Sequence, residues 1–320
     1  MKKILALVMA AAMALSLAAC GGAASSAPAS QPASQPASQA ASTPASEPAA
    51  ATDTVKQAAM GYFANWPEDG HMIGVADLFA KMDAGEEMLI LDVRQPDAYA
   101  EGHLKGAVNV PFGPTLAESL SKIPDDVQLY VNCYTGQTSS QTVALLNMAG
   151  KYATNIQKGW NNGISKEEGY ESYTETTANE LSGDEYEVDP AMQEAVTKYF
   201  ADMETSSYKY FNFPADQLKE LVEAESEDYT ILSIRQAKDF DAGHIAGAVN
   251  VPFGANMQEG LTAIDTAKPV IIYCYTGQTA SQTLAVMRLL GYEAYNLSGG
   301  MGSAESESGW LGIGGEVVTG

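Results

Sequence analysis

The sequence predicts an α/β protein with two similar domains in tandem, each a mostly parallel β-sheet with helices on both faces. Three observations predict this fold class: a long internal repeat, short apolar runs that alternate with helical patterns, and a cysteine loop in each copy that joins such a run to a helix. The length of 320 residues suits two ordinary domains, since each can then bury a core of its own.

The internal repeat is the strongest of these signals. Residues 91–112 read LDVRQPDAYAEGHLKGAVNVPF, and residues 232–253 read LSIRQAKDFDAGHIAGAVNVPF. The offset from 91 to 232 is 141 residues, and the same offset relates the two cysteine loops that follow. Each copy is therefore a unit of roughly 120 residues, the size of one compact domain.

The boundaries of the two domains follow from the repeat and from local composition. We expect domain 1 over residues 54–177 and domain 2 over residues 191–320. Residues 178–190 between them are polar and acidic, which indicates a linker. Residues 191–201 are predicted to be the first helix of domain 2.

Each copy contains three short apolar runs, rich in branched residues, that are predicted to be buried parallel strands. The runs cover residues 88–93, 107–110 and 129–132 in the first copy and 229–234, 248–251 and 270–273 in the second. The last run of each copy ends directly at a cysteine. Apolar faces over residues 143–148 and 284–289 predict a helix after each cysteine loop.

The amino terminus has the pattern of an export signal. Two lysines precede a short apolar run over residues 4–17, which is too short for a permanent membrane span. Residues 17–21, LAACG, resemble a bacterial lipobox, which implies that residues 1–19 are a lipoprotein signal peptide and that Cys20 is lipidated. The alternative is an ordinary secretory signal that leaves Cys20 as a free thiol.

Residues 20–53 are rich in Ala, Ser, Pro and Gln and have almost no large apolar side chains. A segment of this composition cannot bury enough apolar surface to offset its ordering entropy, so we expect a disordered tether. Together with a lipidated Cys20, the tether predicts a protein that is lipid-anchored at the cell envelope, on the extracytoplasmic face of a bacterial membrane.

The composition excludes several classes of function. The formal net charge of −23 argues against nucleic acid as a partner, because phosphate backbones bind Lys and Arg side chains. Three cysteines are too few for a disulfide framework, and separate domains make a pair between Cys133 and Cys274 unexpected. No spacing of His, Cys, Asp or Glu indicates a metal site, and we expect no cofactor.

The element that carries the chemistry in each copy is a strand, then Cys-Tyr-Thr-Gly-Gln-Thr, then a helix. Ligands of open parallel sheets bind beyond the carboxyl ends of the strands, which is where Cys133 and Cys274 fall. A short loop that turns directly into a helix points its backbone N–H groups inward, and the helix start adds a partial positive charge. Such a cradle binds anions and favours the thiolate form of a cysteine. Gly136 and Gly277 suit the positive φ of so tight a turn.

With these motifs the chain resembles the tandem rhodaneses, a sulfurtransferase family. Besides the loops, the matching elements are the Asp-Val-Arg segment at 92–94 and the Glu-Gly-His-Leu-Lys-Gly-Ala segment at 101–107, which becomes Ala-Gly-His-Ile-Ala-Gly-Ala at 242–248. The resemblance extends from about residue 60 to the end and implies two tandem rhodanese-like domains. It also implies an enzyme whose loop cysteine takes a sulfane sulfur from a donor and passes it, as a persulfide, to a thiol or cyanide-like acceptor.

The resemblance assigns Cys133 and Cys274 as the catalytic residues. The loop residues expected to bind the anion and the substrate, chiefly through backbone amides, are Tyr134, Thr135, Gly136, Gln137, Thr138, Tyr275, Thr276, Gly277, Gln278 and Thr279. Family members that use thiosulfate often carry a basic residue in this loop, whereas both loops here are uncharged. A per- or polysulfide donor is therefore as open as thiosulfate.

Two other functions compete with sulfur transfer. Cysteine phosphatases use a related, longer loop that ends in an arginine, but the corresponding positions here are Ser139 and Ala280, which argues against phosphatase activity. A non-enzymatic role in sulfide or redox sensing, or in protein binding, is the alternative. The cysteines present in both loops favour the enzyme.

Polar residues near the loops are expected to support the site. The two motif histidines should brace the adjacent turns by hydrogen bonds: His103 and His244. The two motif arginines should pair with a nearby carboxylate: Arg94 with Asp97, and Arg235 with Asp239. Four hydroxyl side chains after the loop glycines should cap the helix or donate to a bound anion: Thr138, Ser139, Thr279 and Ser281.

Overall fold

The computed structural model of the chain describes residues 53–320. The predicted signal peptide, the Cys20 lipidation site and nearly all of the predicted tether lie outside the described residues. Within residues 53–320, every helix is too short or too polar to span a membrane.

The first half of the described chain alternates helices and short strands. In chain order they are α1 (Asp53–Ala64), β1 (Met72–Ile73), α2 (Val75–Asp83), β2 (Leu89–Asp92), α3 (Pro96–Glu101), β3 (His103–Leu104), β4 (Val108–Asn109), α4 (Pro114–Glu118), β5 (Leu129–Asn132), α5 (Gln137–Met148), β6 (Ala153–Ile156), α6 (Gly159–Asn162) and β7 (Thr174–Glu175).

Five of these strands form a parallel sheet in the order β1-β6-β5-β2-β4, and β3 pairs with β7 in a separate antiparallel ribbon. Successive residues of a strand point to opposite faces of its sheet. Leu91 and Val131 accordingly lie in one apolar cluster with helix α5, whereas Ile90 and Tyr130 lie in another with helix α2. Helices therefore cover both faces of this sheet.

The second half repeats the arrangement. Its elements are α7 (Pro190–Thr205), β8 (Asn212–Phe213), α8 (Ala215–Glu223), β9 (Thr230–Ser233), α9 (Ala237–Ala242), β10 (Val249–Asn250), α10 (Met257–Leu261), β11 (Val270–Tyr273), α11 (Gln278–Leu289), β12 (Ala294–Leu297) and α12 (Gly309–Gly312). The strands form a second parallel sheet in the order β10-β9-β11-β12-β8, which is the order of the first sheet at equivalent positions.

The predicted fold class is confirmed. The predicted strands at 129–132 and 270–273 are observed as β5 and β11 with the same bounds, and the other four predicted strands are one residue shorter at each end. Strands β4 and β10 end just before Pro111 and Pro252, since proline has no N–H to donate to a sheet.

The two halves share one continuous apolar core, in which α5 and α11 pack against each other. The first helix of each half also packs on the other half: α1 lies against α10 and α11, and α7 lies against α4. The hydroxyl of Tyr62 on α1 donates to Gln282 on α11 at 2.8 Å, and that of Tyr199 on α7 donates to Gln141 on α5 at 2.6 Å. Burial raises the pKa of both tyrosines, so both phenols stay protonated as donors.

Candidate active site

The two predicted nucleophiles lie at equivalent places in the two halves. Cys133 follows β5 and Cys274 follows β11, the central strand of each sheet, at its carboxyl end. Both are free thiols, with 1% and 2% of their surface exposed. Open parallel sheets bind ligands at this edge.

Each loop curls so that a backbone amide faces the sulfur. Gly136 and Gly277 have φ of 87° and 85°, as expected for the tight turn, and each directly precedes a helix, α5 or α11. The N–H of Gly136 donates to Sγ of Cys133 at 3.1 Å, and the N–H of Gly277 donates to Sγ of Cys274 at the same distance, 3.1 Å. The helix start adds a partial positive charge, so both sites can stabilise a negative sulfur without a general base.

The carbonyl groups of each loop are held by the segment that follows the next strand. The N–H of Trp160 donates to the carbonyl of Cys133 at 2.8 Å, and the N–H of Asn161 donates to that of Tyr134 at 2.9 Å. Met301 and Gly302 hold the second loop in the same way, at 2.8 and 2.9 Å. These hydrogen bonds hold each loop in the conformation in which the N–H of its glycine donates to the cysteine sulfur.

Two glycines that the sequence analysis did not assign to the site permit this close approach. A Cβ on Gly159 would lie 2.6 Å from the carbonyl oxygen of Cys133, and a Cβ on Gly300 would lie 2.8 Å from that of Cys274. Both glycines also have a φ of 61°. The signal that could have revealed them is the repeat itself, since glycine occupies both positions at the offset of 141 residues.

The loop tyrosines form the rim of the sites. Tyr134 and Tyr275 are 37% and 44% exposed. The hydroxyl of Tyr134 accepts from the N–H of Gln95 at 3.2 Å, and the hydroxyl of Tyr275 donates to the carboxylate of Asp239. Partial burial and this hydrogen bond raise the pKa of Tyr275, so its phenol stays neutral.

The hydroxyl side chains after the loop glycines do not cap the helices, which corrects the capping expectation. The N-cap position of α5 and of α11 is the loop glycine, which has no side chain to cap with, and the four hydroxyl residues lie inside the first turns. The backbone carbonyls of Thr138 and Thr279 accept from the hydroxyls of the threonines four residues later, at 3.0 and 3.1 Å. Ser139 instead reaches the cysteine sulfur: its Oγ lies 3.1 Å from Sγ of Cys133 and 2.6 Å from Oδ1 of Asn155.

The glutamine after each loop glycine bonds to the other half of the molecule. Oε1 of Gln278 accepts from the backbone N–H of Lys158 at 2.8 Å and from the amide of Asn155 at 3.3 Å. Oε1 of Gln137 accepts from the amide of Asn296 at 3.0 Å. Nε2 of Gln278 also donates to the hydroxyl of Thr276 in its own loop at 3.1 Å, so the same side chain contacts the second cysteine loop and the segment around β6 of the first half.

Cys133 opens onto a cavity of about 350 Å³ between the two halves. Its walls come from both halves and are Val93, Gln95, Phe112, Cys133, Tyr134, Thr135, Gln137, Thr138, Tyr210, Asn212, Ser298, Gly299 and Ser308. None of these residues is charged. Across residues 53–320, no cluster of three or more His, Cys, Asp or Glu side chains could hold a metal ion.

The motif arginine of the first half has a different partner from the predicted one. Arg94 pairs with Asp92, with Nη2 at 2.6 Å from the carboxylate, and not with Asp97. Both groups of the pair are buried, so each charge offsets part of the other's desolvation cost, whereas Asp97 is exposed. Serine replaces this aspartate in the second half, so Arg235 donates to backbone carbonyls instead, among them that of Asp239 at 2.7 Å.

The motif histidines brace the adjacent turns, as expected. Nδ1 of His103 bonds to the carbonyl of Tyr99 at 2.8 Å, and its Nε2 bonds to that of Thr177 at 3.0 Å. Nδ1 of His244 bonds to the carbonyl of Phe240 at 3.0 Å. These contacts give both rings a structural role.

The comparisons with known proteins identify a family. A family model described as "Rhodanese-like domain" matches residues 75–166 and 214–307, more than half of the chain. Thiosulfate sulfurtransferase GlpE of Shewanella oneidensis is 30% identical over 96 residues, which cover 30% of this chain and 90% of that protein. The uncharacterized protein YqhL of Bacillus subtilis is 34% identical over 71 residues, which cover 22% of this chain and 56% of that protein.

The matched part spans about half the length of two Bacillus subtilis relatives, 56% of YqhL and 48% of the putative sulfur carrier protein YrkF. Among solved structures, SseA of Escherichia coli, whose structure is described with 3-mercaptopyruvate sulfotransferases, is 18% identical with a TM-score of 0.32. That alignment covers 72% of this chain and 98% of that one, but so low a score supports no inference about function. Because the family model matches the chain twice, over more than half of its length, the chain belongs to the rhodanese-like family and carries two rhodanese-like domains.

Proposed function

We propose that the protein is a sulfurtransferase that moves a sulfane sulfur from a donor to a thiophilic acceptor through persulfides on Cys133 and Cys274. One observation carries the proposal: each cysteine sulfur lies at the end of a central strand, 3.1 Å from a loop N–H at a helix start. This geometry stabilises sulfur anions, which both half-reactions need. Membership of the family and the relatives named as thiosulfate sulfurtransferases support the same reaction class.

The reaction consists of two balanced exchanges. The Cys133 thiolate attacks the outer sulfur of a donor R–S–SH, the donor S–S bond breaks, RS⁻ leaves, and Cys133–S–SH forms. An acceptor thiolate R′S⁻ then attacks the outer sulfur of the persulfide and forms R′–S–SH. The cysteine leaves as a thiolate with the electron pair of the broken S–S bond, so the cycle needs no external oxidant or reductant. Cys274 performs the same steps in the second half.

The walls of the Cys133 cavity favour an organic per- or polysulfide over thiosulfate as the donor. None of the wall residues is charged, so a dianion would lose its water without gaining a cation as a partner. The apolar side chains of Val93, Phe112 and Tyr210 in the same wall suit an organic group R.

The test is mass spectrometry of cysteine peptides from the reduced full-length protein, after exposure to glutathione persulfide or, separately, to thiosulfate. We expect one added sulfur atom on Cys133 and on Cys274 with the persulfide, removal of that sulfur by cyanide, and less addition with thiosulfate. The Cys133→Ser/Cys274→Ser double variant should lose sulfur transfer. No sulfur on either cysteine of the folded, reduced protein would favour the alternative role in sensing or binding.

We also propose that the protein is anchored to the extracytoplasmic face of a bacterial membrane by a lipid on Cys20. The support is the sequence pattern of the export signal, the LAACG segment and the Ala/Ser/Pro/Gln tether. Expression of the full chain in a bacterium, followed by membrane fractionation and labelling with a fatty-acid analogue, tests the anchor. Labelled protein in the membrane fraction is expected, and Cys20→Ala should abolish the label. A label that survives this substitution would refute the anchor.

A further inference from the structure

Ser139 distinguishes the two halves at the reacting sulfur. Its hydroxyl contacts both Sγ of Cys133, at 3.1 Å, and Oδ1 of Asn155, at 2.6 Å. At the repeat offset of 141 residues, the equivalents of these three residues in the second half are Ala280, Cys274 and Asn296. Cys274 therefore has its loop amide as a donor but no hydroxyl at this position.

In the second half, the absence of this hydroxyl leaves a buried polar atom without a hydrogen-bond partner. Oδ1 of Asn296 is buried and has no hydrogen-bond partner among the described residues, whereas Oδ1 of Asn155 accepts from Ser139. The amide nitrogen of Asn296 is held by Asn212 at 2.8 Å and by Gln137 at 3.0 Å, so the side chain cannot turn to satisfy its oxygen. A serine at position 280 would supply the donor that this oxygen lacks.

The hydroxyl of Ser139 has one proton and two acceptors. The orientation of Asn155 is determined by Gln278, whose Oε1 accepts from the backbone N–H of Lys158 at 2.8 Å and therefore faces the amide nitrogen of Asn155. Oδ1 of Asn155 then faces Ser139. While the cysteine is neutral, the hydroxyl donates to Asn155. When negative charge develops on the sulfur, a rotation of the hydroxyl gives a charge-assisted hydrogen bond, which is roughly twice as strong as a neutral one.

We infer that Ser139 is a catalytic residue of the Cys133 site, whose hydroxyl stabilises the thiolate that leaves when the persulfide gives up its outer sulfur, and that Ala280 denies this stabilisation to Cys274. The inference rests on the proposed function. It concerns the release step, because there the electron pair of the breaking S–S bond moves onto Sγ. In the loading step Sγ loses charge instead, so the hydroxyl gives no comparable gain.

The test follows sulfur release from each cysteine separately. The full-length protein is loaded with glutathione persulfide, freed of donor and mixed with cyanide, and peptide mass spectrometry measures the outer sulfur that remains on each cysteine. Rates are normalised to the starting load. In Ser139→Ala, release from Cys133 should be about ten-fold slower while release from Cys274 is unchanged. In Ala280→Ser, release from Cys274 should be about ten-fold faster while release from Cys133 is unchanged.

The two variants control for each other. If Ser139 had only a structural role, Ser139→Ala would slow sulfur release from Cys133, but Ala280→Ser would not accelerate release from Cys274. The inference therefore requires both changes in rate, and it is overturned if only one of them is observed in folded variants. If Ser139→Ala does not fold, the Ala280→Ser result decides. If the unmodified protein takes up no sulfur at all, the proposed function fails, and that outcome is visible before any variant is compared.

Discussion

Replacing Gln278 with alanine should weaken the contact between the two halves more than replacing its counterpart Gln137. Oε1 of Gln278 accepts from the N–H of Lys158 at 2.8 Å and from the amide of Asn155 at 3.3 Å, and the side chain is buried. Oε1 of Gln137 accepts from the amide of Asn296 alone. The two glutamines occupy the same position in their loops, so each is a matched control for the other.

The magnitude follows from the donors that each substitution leaves without an acceptor. A buried donor without a partner costs about 1–3 kcal/mol. Gln278→Ala removes the acceptor of the partly buried Lys158 N–H bond and leaves the amide of the fully buried Asn155 only the weak sulfur acceptor of Met72 at 3.7 Å, so the free energy of unfolding should fall by about 2–3 kcal/mol. Gln137→Ala should cost about 1 kcal/mol, because the amide of Asn296 keeps its 2.8 Å hydrogen bond to Asn212.

Urea denaturation of the full-length variants, followed by tryptophan fluorescence, measures both losses. A double-mutant cycle of Gln278→Ala with Asn155→Ala isolates the contact, and its coupling energy should be about 0.5–3 kcal/mol. Equal losses for the two glutamines, or additive effects in the cycle, would refute the cross-half hydrogen bonds as a source of stability.

Two further predictions concern the site and its surroundings. Gly159→Ala should lower the free energy of unfolding by about 2–4 kcal/mol, because alanine is strained at a φ of 61° and its Cβ would lie 2.6 Å from the carbonyl of Cys133. Gly85→Ala, at a φ of 68° with no atom within 4 Å of the added Cβ, should cost about 1 kcal/mol, and equal costs in urea denaturation would contradict the packing argument. Burial lowers the pKa of His71 from its ordinary value of 6.5, although the charge of Asp69 opposes this shift. As the pH falls through this range, His71 therefore binds a proton in the unfolded chain before it does so in the folded chain. The free energy of unfolding should therefore fall as the pH drops through this range. In His71→Asn, the urea midpoint should fall less steeply between about pH 7 and pH 5 than in the unmodified protein. The same pH dependence of the midpoint in both proteins would contradict this assignment to His71.

The fold and the position of the cysteines were predictable because both depend on local patterns. Branched apolar runs that end at a polar loop specified β5 and β11 with their observed bounds, and the placement of a cysteine directly after each run put it at the carboxyl edge of the sheet. The positive φ of Gly136 followed from the shortness of the turn.

The contacts between the halves were not predictable from such patterns. Gln278 and Asn155 lie 123 residues apart, and Tyr62 and Gln282 lie 220 residues apart, so no short-range periodicity relates them. One sequence feature does point to these contacts, namely a polar residue that recurs among apolar residues in both copies. Glutamine occupies the buried positions 141 and 282 of helices α5 and α11. The repeat indicates that the glutamine needs a hydrogen-bond partner in both copies, but it does not indicate which half supplies that partner.

One feature of the loops links the absence of a positive charge after the loop glycine to the contact between the halves. The residue after each loop glycine, Gln137 or Gln278, uses its amide oxygen as an acceptor for N–H groups of the other half. A lysine or arginine there would bring a cation against those N–H donors inside a buried contact, which is unfavourable. The loops therefore cannot gain a positive charge at this position without losing hydrogen bonds between the halves. In the proposed reaction, stabilisation of the sulfur anion is therefore left to the loop amides in both halves and, at Cys133, to the hydroxyl of Ser139.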